Sequence, residues 1–184
     1  MYVQKAVLLD AGAMDRSLMR ISHEIVEKNA PCEDLCIVGV YRRGAVLAEK
    51  IARNVGKITG TVPPLGALDI SLYRDDLSEL GEQPSVAGDA LRFDVRGKTV
   101  VLVDDVLYTG RTARAAIEAV IRRGRPAAIQ LAVLIDRGHR ELPIRADYTG
   151  KNVPTSKREL IEVRVEEYDG VQEVALLERR EAEN

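Results

Sequence analysis

Val100-Val101-Leu102-Val103-Asp104-Asp105-Val106-Leu107-Tyr108-Thr109-Gly110-Arg111-Thr112 is the stretch on which the reading of this chain turns. Its first four residues are apolar and mostly β-branched, which suits a strand buried on both faces, and such strands belong to parallel sheets covered by helices. Two adjacent carboxylates, Asp104 and Asp105, stand where that strand is expected to end. A loop with one glycine and two threonines follows, then helical sequence from about Thr112. In open α/β sheets ligands bind beyond the carboxyl ends of the strands, and a helix N-terminus offers unpaired N–H groups and a dipole that favours an anion. Thr109, Thr112 and the loop amides therefore suit a phosphate, and Gly110 allows close backbone approach or a positive φ. The two carboxylates suit a vicinal diol, from which they accept hydrogen bonds well. A phosphate at one end and a diol at the other describe a ribose 5-phosphate.

Working outward, the 184-residue length fits one α/β domain, expected over residues 1–184, with enough chain to bury a single core. The formal charge of −2 and a pI near 5.8 argue against a global basic field, so any anion-binding surface must be local. With no Trp and one Phe, the core must rest on Val, Leu, Ile and Ala. Cys32 and Cys36 have no Cys or His cluster near enough in sequence to complete a metal site, and read as idle thiols. No stretch is long and apolar enough for a membrane helix and no signal-peptide core is present, so the cytoplasm is expected. Neither G-x-x-x-x-G-K-S/T nor G-x-G-x-x-G occurs, which removes the main support for a nucleotide triphosphatase or a dinucleotide-binding fold.

In chain order, a short strand is expected at Lys5 to Leu9 and a helix from about Met14 to Lys28, capped near Asp10. Met14, Leu18, Ile21 and Ile25 share one side of that helix. Arg16, Arg20, His23 and Glu27 share the other, a mostly basic stripe that in isolation is an ordinary solvated face. Leu35 to Val40 is a second buried-type strand, ending in Tyr41-Arg42-Arg43-Gly44 before a helix that stops at Gly56. This basic, glycine-ended turn is a further candidate anion site. Gly66 to Tyr73 alternates as a strand; from Arg74 to about Ala90 the composition disfavours regular structure, as in a lid. A helix through Ala116 and Val120 ends at Gly124, and Gln130 to Ile135 is the next strand, so strand and helix alternate as a parallel sheet requires. It runs into Asp136-Arg137-Gly138-His139-Arg140-Glu141-Leu142-Pro143-Ile144-Arg145-Ala146-Asp147-Tyr148, rich in Arg and His at the ligand end of the sheet. Leu160 to Val165, a turn at Asp169-Gly170 and Val174 to Leu177 read as a hairpin beside the main sheet.

The thirteen-residue run from Val100 to Thr112 resembles the phosphoribosyl pyrophosphate motif of type I phosphoribosyltransferases. Together with Asp69-Ile70-Ser71-Leu72-Tyr73-Arg74-Asp75-Asp76, the block Asp136 to Tyr148 and Gly150-Lys151-Asn152-Val153-Pro154-Thr155-Ser156-Lys157, it is similar to one bacterial branch of that family. Members of that branch attenuate transcription of pyrimidine operons and also have uracil phosphoribosyltransferase activity. The resemblance implies an α/β, type I phosphoribosyltransferase fold: a central, mainly parallel sheet flanked by helices, with a flexible lid loop and a small C-terminal hairpin or hood. It implies the reaction of uracil with phosphoribosyl pyrophosphate to UMP and pyrophosphate, with Mg2+ chelated mainly by pyrophosphate and ribose hydroxyls and no direct side-chain ligand expected. Val100 to Thr112 would then bind phosphoribosyl pyrophosphate, with Asp104 and Asp105 on the ribose hydroxyls and Thr109, Gly110, Arg111 and Thr112 on the 5-phosphate. Arg42, Arg43 and Gly44 would hold the leaving pyrophosphate, Tyr73, Arg74, Asp75 and Asp76 would hinge the lid, and backbone groups at Ile135, Asp136 and Arg137 would read uracil.

The same resemblance implies a dimer, or a dimer of dimers, whose basic face binds a stem-loop of the pyrimidine mRNA leader more tightly when uridine nucleotides fill the active site. Arg20, His23, Arg137, His139, Arg140, Arg145 and Lys151 are the RNA candidates, because Arg and His serve folded RNA by charge, stacking and hydrogen bonding. Met19 and Tyr41 depart from the threonine and lysine of the family pattern. Two other readings stay open at this point: a salvage enzyme with no RNA partner, and a nucleotide-sensing regulator with negligible turnover.

Overall fold

Strand composition explains the architecture directly. In the computed structural model, which describes residues 2–70 and 91–179, β2 (Leu35–Val40), β4 (Thr99–Leu107) and β5 (Ala128–Asp136) form the middle of a five-stranded, all-parallel sheet of order β3-β2-β4-β5-β6. The flanking strands are β3 (Leu65–Leu68) and β6 (Tyr148–Asn152). Because successive side chains point to opposite faces, Ile37, Val101 and Val103 pack into one core layer while Val38, Val100 and Leu102 pack into the other. Burying each such side chain contributes roughly 1.5–3 kcal/mol.

Helices α1 (Ala11–Asn29) and α2 (Arg43–Thr59) cover the first face. Helix α3 (Arg111–Arg123) covers the second through Ala113, Ala116 and Val120. The α1 start follows the expected cap: the Asp10 carboxylate accepts from the Ala13 N–H at 2.7 Å, an arrangement typically worth about 1 kcal/mol. Met14, Leu18, Ile21 and Ile25 are all buried, as their spacing predicts.

The terminal hairpin belongs to something larger. Strands β7 (Glu159–Arg164) and β8 (Glu173–Arg179) are joined through a single helical turn, α4 (Glu166–Asp169), and β8 also pairs antiparallel with β1 (Tyr2–Leu9), giving a three-stranded sheet of order β1-β8-β7. Ile161, Val163 and Val174 of this sheet pack into the same apolar cluster as α1 and α2. Three expectations need adjustment. The strand expected at Gly66 to Tyr73 is described only as Leu65–Leu68. The lid residues Tyr73, Arg74, Asp75 and Asp76 lie outside the described residues, as does the rest of the stretch to Ala90. Strand β6 was not foreseen: its Thr149-Gly150-Lys151-Asn152 lacks the apolar run that marked the other strands.

Candidate active site and basic face

Strand β4 does not stop at its acidic pair. It pairs with β2 only as far as Val103 but with β5 to Leu107 opposite Asp136, so the acidic pair has left the β2 side of the sheet while β4 still runs alongside β5. Asp104 is 9% exposed and its Oδ1 accepts from the Asp105 N–H at 2.9 Å; Asp105 accepts from the Val106 N–H at 2.8 Å. These bonds pin each carboxylate to the backbone and orient its second oxygen. Gly110 takes a φ of 94° at the cap of α3, the left-handed conformation that a side chain at this position would strain. The loop and the first turn of α3 enclose a cavity of about 300 Å³ reached by Asp104, Tyr108, Thr109, Arg111, Thr112 and Glu141.

The turn after β2 presses against this site. A Cβ at Gly44 would stand 2.6 Å from the Val103 carbonyl oxygen and 3.2 Å from the Asp104 Cα, so only glycine lets the N-terminus of α2 meet the acidic pair. The Tyr41–Arg42 peptide is cis. The two arginines are engaged with the second sheet. Arg43 pairs with Asp169 at 2.8 Å, and the Arg42 guanidinium lies 5.0 Å from the centre of the Tyr168 ring. Burial raises the Asp169 pKa, but the Val165 N–H and Arg43 outweigh it and hold the carboxyl below its usual range. Tyr41 is largely exposed.

Past β5 the chain forms a knot of arginines. Arg137, only 5% exposed, donates from Nε to the Thr155 hydroxyl at 3.0 Å and from Nη2 to the Glu159 carbonyl at 2.7 Å. Its guanidinium lies 4.1 Å from the centre of the Tyr108 ring. Arg140 pairs with Asp136 and donates to the carbonyls of Ile144 at 2.8 Å and Tyr108 at 2.7 Å. His139, at φ 60°, donates from Nε2 to the Thr155 carbonyl. Thr155, Ser156 and Glu159 hold this knot from the far side; the first two were quoted in the sequence only as part of a resemblance, and none was given a role there. Of the groups expected to read uracil, the Arg137 N–H already donates to the Leu107 carbonyl at 3.1 Å and the Asp136 carbonyl already accepts from the Val153 N–H at 2.8 Å; Ile135 is fully buried.

The seven basic candidates for RNA therefore divide. Arg137 is 5% exposed and its Nε and Nη2 are taken up by Thr155, Ser156 and Glu159, so it lies beneath the surface on which RNA contact was expected. Arg140 is half-buried and engaged as above. Arg20 donates to the Gly150 carbonyl at 2.6 Å and to that of Thr149 at 3.0 Å, fastening α1 to β6. Arg20 is nonetheless exposed, as are His23, His139, Arg145 and Lys151, the last of which donates to the Leu8 carbonyl at 3.2 Å. Arg145, Arg140, Arg137, His139, Thr149 and Thr155 surround a second cavity of about 600 Å³, whose basic groups all come from the loop after β5. Met19 lies away from them, in a groove with Lys50 and Arg53 of α2. Among the described residues no group of three or more His, Cys, Asp or Glu could hold a metal, and no helix is long and apolar enough to cross a membrane.

This layout, a parallel sheet with an acid pair and two helix N-termini at its carboxyl edge, is matched by the family model of the phosphoribosyl transferase domain over residues 6–168, and the chain belongs to that family. Within it, the chain is 62% identical over 162 residues to the Bifunctional protein PyrR of Caldicellulosiruptor bescii, covering 88% of this chain and 89% of that one. It is 58% identical over 178 residues to the Bifunctional protein PyrR of Thermus thermophilus, covering 97% and 98%. Among solved structures, a hypoxanthine-guanine phosphoribosyltransferase of Bacillus anthracis superposes with a TM-score of 0.72 at 18% identity, covering 94% of this chain and 98% of that one, a likeness of fold.

Proposed function

We propose that the chain, acting as one domain, controls pyrimidine operon expression by uridine-nucleotide-dependent binding to the mRNA leader and also converts uracil and phosphoribosyl pyrophosphate to UMP and pyrophosphate. The observation that carries the enzymatic half is the meeting of two helix N-termini across one acidic pair: Gly44 at the start of α2 packs on Val103 and Asp104, while Gly110 to Thr112 open α3 on the other side. Asp104 and Asp105 hold the ribose hydroxyls; Thr109, Gly110, Arg111 and Thr112 hold the 5-phosphate. The amides around Arg42, Arg43 and Gly44 face the leaving pyrophosphate, with Arg43 braced by Asp169. The uracil N3–H donates to a carbonyl in the Ile135 to Arg137 stretch, and Tyr73 to Asp76 hinge the cover that keeps water from the oxocarbenium-like centre.

The residues suit Mg2+ brought in with phosphoribosyl pyrophosphate: Asp104 and Asp105 would hold it through water, and most of its ligands would be the substrate's own oxygens. When bound, the ion neutralises the leaving pyrophosphate. The chain's own contribution is positioning, which can supply on the order of 7–11 kcal/mol when reactants are held in near-attack geometry. The regulatory half rests on the likeness to the bifunctional relatives, on the cavity that His139, Arg140 and Arg145 line, and on Arg20, which joins α1 to β6 beside it. A homodimer or dimer of dimers in the cytoplasm presents that face to the transcript.

Replacing Asp104 and Asp105 with Asn should abolish conversion of labelled uracil while the thermal melt stays intact; retained turnover would remove both from the site. A gel shift of the operon's leader transcript, with and without UMP, tests the second half. No shift in either condition leaves a salvage enzyme only.

A further inference from the structure

The two cavities share a wall, and the wall is one short piece of chain. Tyr108, Arg111 and Glu141 line the phosphate-loop cavity, whereas Arg137, His139 and Arg140 line the larger basic one. Between them the contacts are dense. The Thr109 carbonyl accepts from the N–H groups of both Glu141 and Leu142, at 2.9 and 3.1 Å, and the Tyr108 carbonyl accepts from Arg140. The Tyr108 ring carries the Arg137 guanidinium on its face and meets the His139 ring edge-on at 5.8 Å between centroids. Arg111 and Glu141 form an ion pair at 2.8 Å across the phosphate cavity.

We infer that residues 137–142 are the coupling element between the two activities, with Glu141 responding to phosphate at the Arg111 loop and the Tyr108 ring passing the response to His139 and Arg140. This deepens the bifunctional reading above and rests on it. The physical reason is charge. A 5-phosphate brings close to two negative charges into a cavity that already holds the Glu141 carboxylate. It draws Arg111 toward itself and repels Glu141, which is carried on the same segment as His139 and is tethered through its own N–H to Thr109. An empty phosphate loop therefore keeps the segment closed on Arg111, and an occupied one releases it. A ligand shifts such an equilibrium only by its different affinity for the two states, and here the difference is the Arg111–Glu141 pair. Glu141 and Tyr108 are positioning residues for RNA recognition.

The test reads a ratio, the Kd for a fluorescent transcript of the operon's own 5′ leader without UMP divided by the Kd with saturating UMP. In Glu141→Gln the shape is kept and the charge removed. The free protein should bind the transcript more tightly than wild type, and the ratio should fall by a factor of up to about five, the range spanned by exposed ion pairs. Tyr108→Leu should also lower the ratio, and Tyr108→Phe, which keeps the ring, should preserve it. The reciprocal measurement, UMP affinity with and without transcript, must change by the same factor in each variant. Wild-type ratios in both Glu141→Gln and Tyr108→Leu overturn the inference while leaving the bifunctional reading standing. A ratio of one in the wild type overturns that reading, and this inference with it. A loss in Tyr108→Phe equal to that in Tyr108→Leu overturns the role of the ring.

Discussion

Gly44→Ala separates two opposing effects of a single methyl group. Position 44 lies in the first turn of α2, where alanine is the better helix former by about 1 kcal/mol, so propensity alone calls for a stabilised protein. The added Cβ would stand 2.6 Å from the Val103 carbonyl oxygen, 3.2 Å from the Asp104 Cα and 3.4 Å from the Asp104 Oδ1. Two of those atoms are backbone of a central strand and cannot swing away. Opening the gap to 3.0 Å, the least that real Cβ atoms tolerate, displaces the turn from the acidic pair by about 0.4 Å. Overpacking of this kind costs about 1–3 kcal/mol and outweighs the helix gain. A net loss of about 1 kcal/mol lowers the Tm by roughly 2–4 °C in a chain of this size. Because a misplacement near 1 Å costs about 10²-fold in rate, a smaller shift at the reacting end should cost on the order of tenfold in UMP formation. The assay is steady-state conversion of uracil beside a thermal melt. Gly12→Ala serves as the control, since its Cβ meets only flexible side-chain ends, Arg16 Nη1 at 3.2 Å and Asp10 Oδ1 at 3.6 Å; it should gain about 0.5–1 kcal/mol with full turnover. A Gly44→Ala protein as active and as stable as wild type would refute the close-approach argument.

Three further outcomes are expected. Tyr148→Phe removes the hydroxyl that donates to Gln130 at 2.7 Å and accepts from Asn29 at 3.1 Å, and should cost about 0.5–1.5 kcal/mol in urea unfolding with an unchanged m value; no loss would show that Asn29 and Gln130 satisfy each other alone. The Lys5 and Ser156 N–H groups hold the Glu159 carboxyl down to about 2 from a usual 4.5, so its stabilising contribution is fully present above about pH 4.5 and disappears as pH falls toward 2. Glu159→Gln should flatten the stability profile over that window, and parallel profiles would exclude the pair as a source of acid sensitivity. Burial pushes the Cys36 thiol up to about 11, so a disulfide reagent at about pH 8 should modify it only as fast as the protein unfolds; rapid native-state labelling would contradict its burial.

What could be read beforehand followed from local pattern. Leu35 to Val40 and Val100 to Val103 announce doubly buried strands because every residue is apolar, and Asp10 announces a helix start because its carboxylate reaches three residues forward. The turn from Asp104 to Thr112 was legible because consecutive residues carry the chemistry. Other features depend on partners distant in sequence. Strand β6 has a polar sequence and exists because Gly150 fits against the Leu134 carbonyl, 2.5 Å from where a Cβ would be, while Arg20 caps its carbonyls from α1. The inward turn of Arg137 depends on acceptors 18 to 22 residues away, and arginine in a loop ordinarily signals solvent. The hairpin of β7 and β8 was visible; its third strand, paired from the opposite end of the chain, was not.

That third pairing sets an order of events. Tyr2 aligns with Arg179, so the first of the described strands waits for the last of them. Closing so long a loop adds only a logarithmic entropy term, but nearly the whole chain must be present before the edge is satisfied. Helix α4 sits between β7 and β8, and its Tyr168 and Asp169 are the residues that hold Arg42 and Arg43. The parallel sheet needs nothing beyond β6, yet the turn beside the acids is braced only once the later segment that carries α4 is in place.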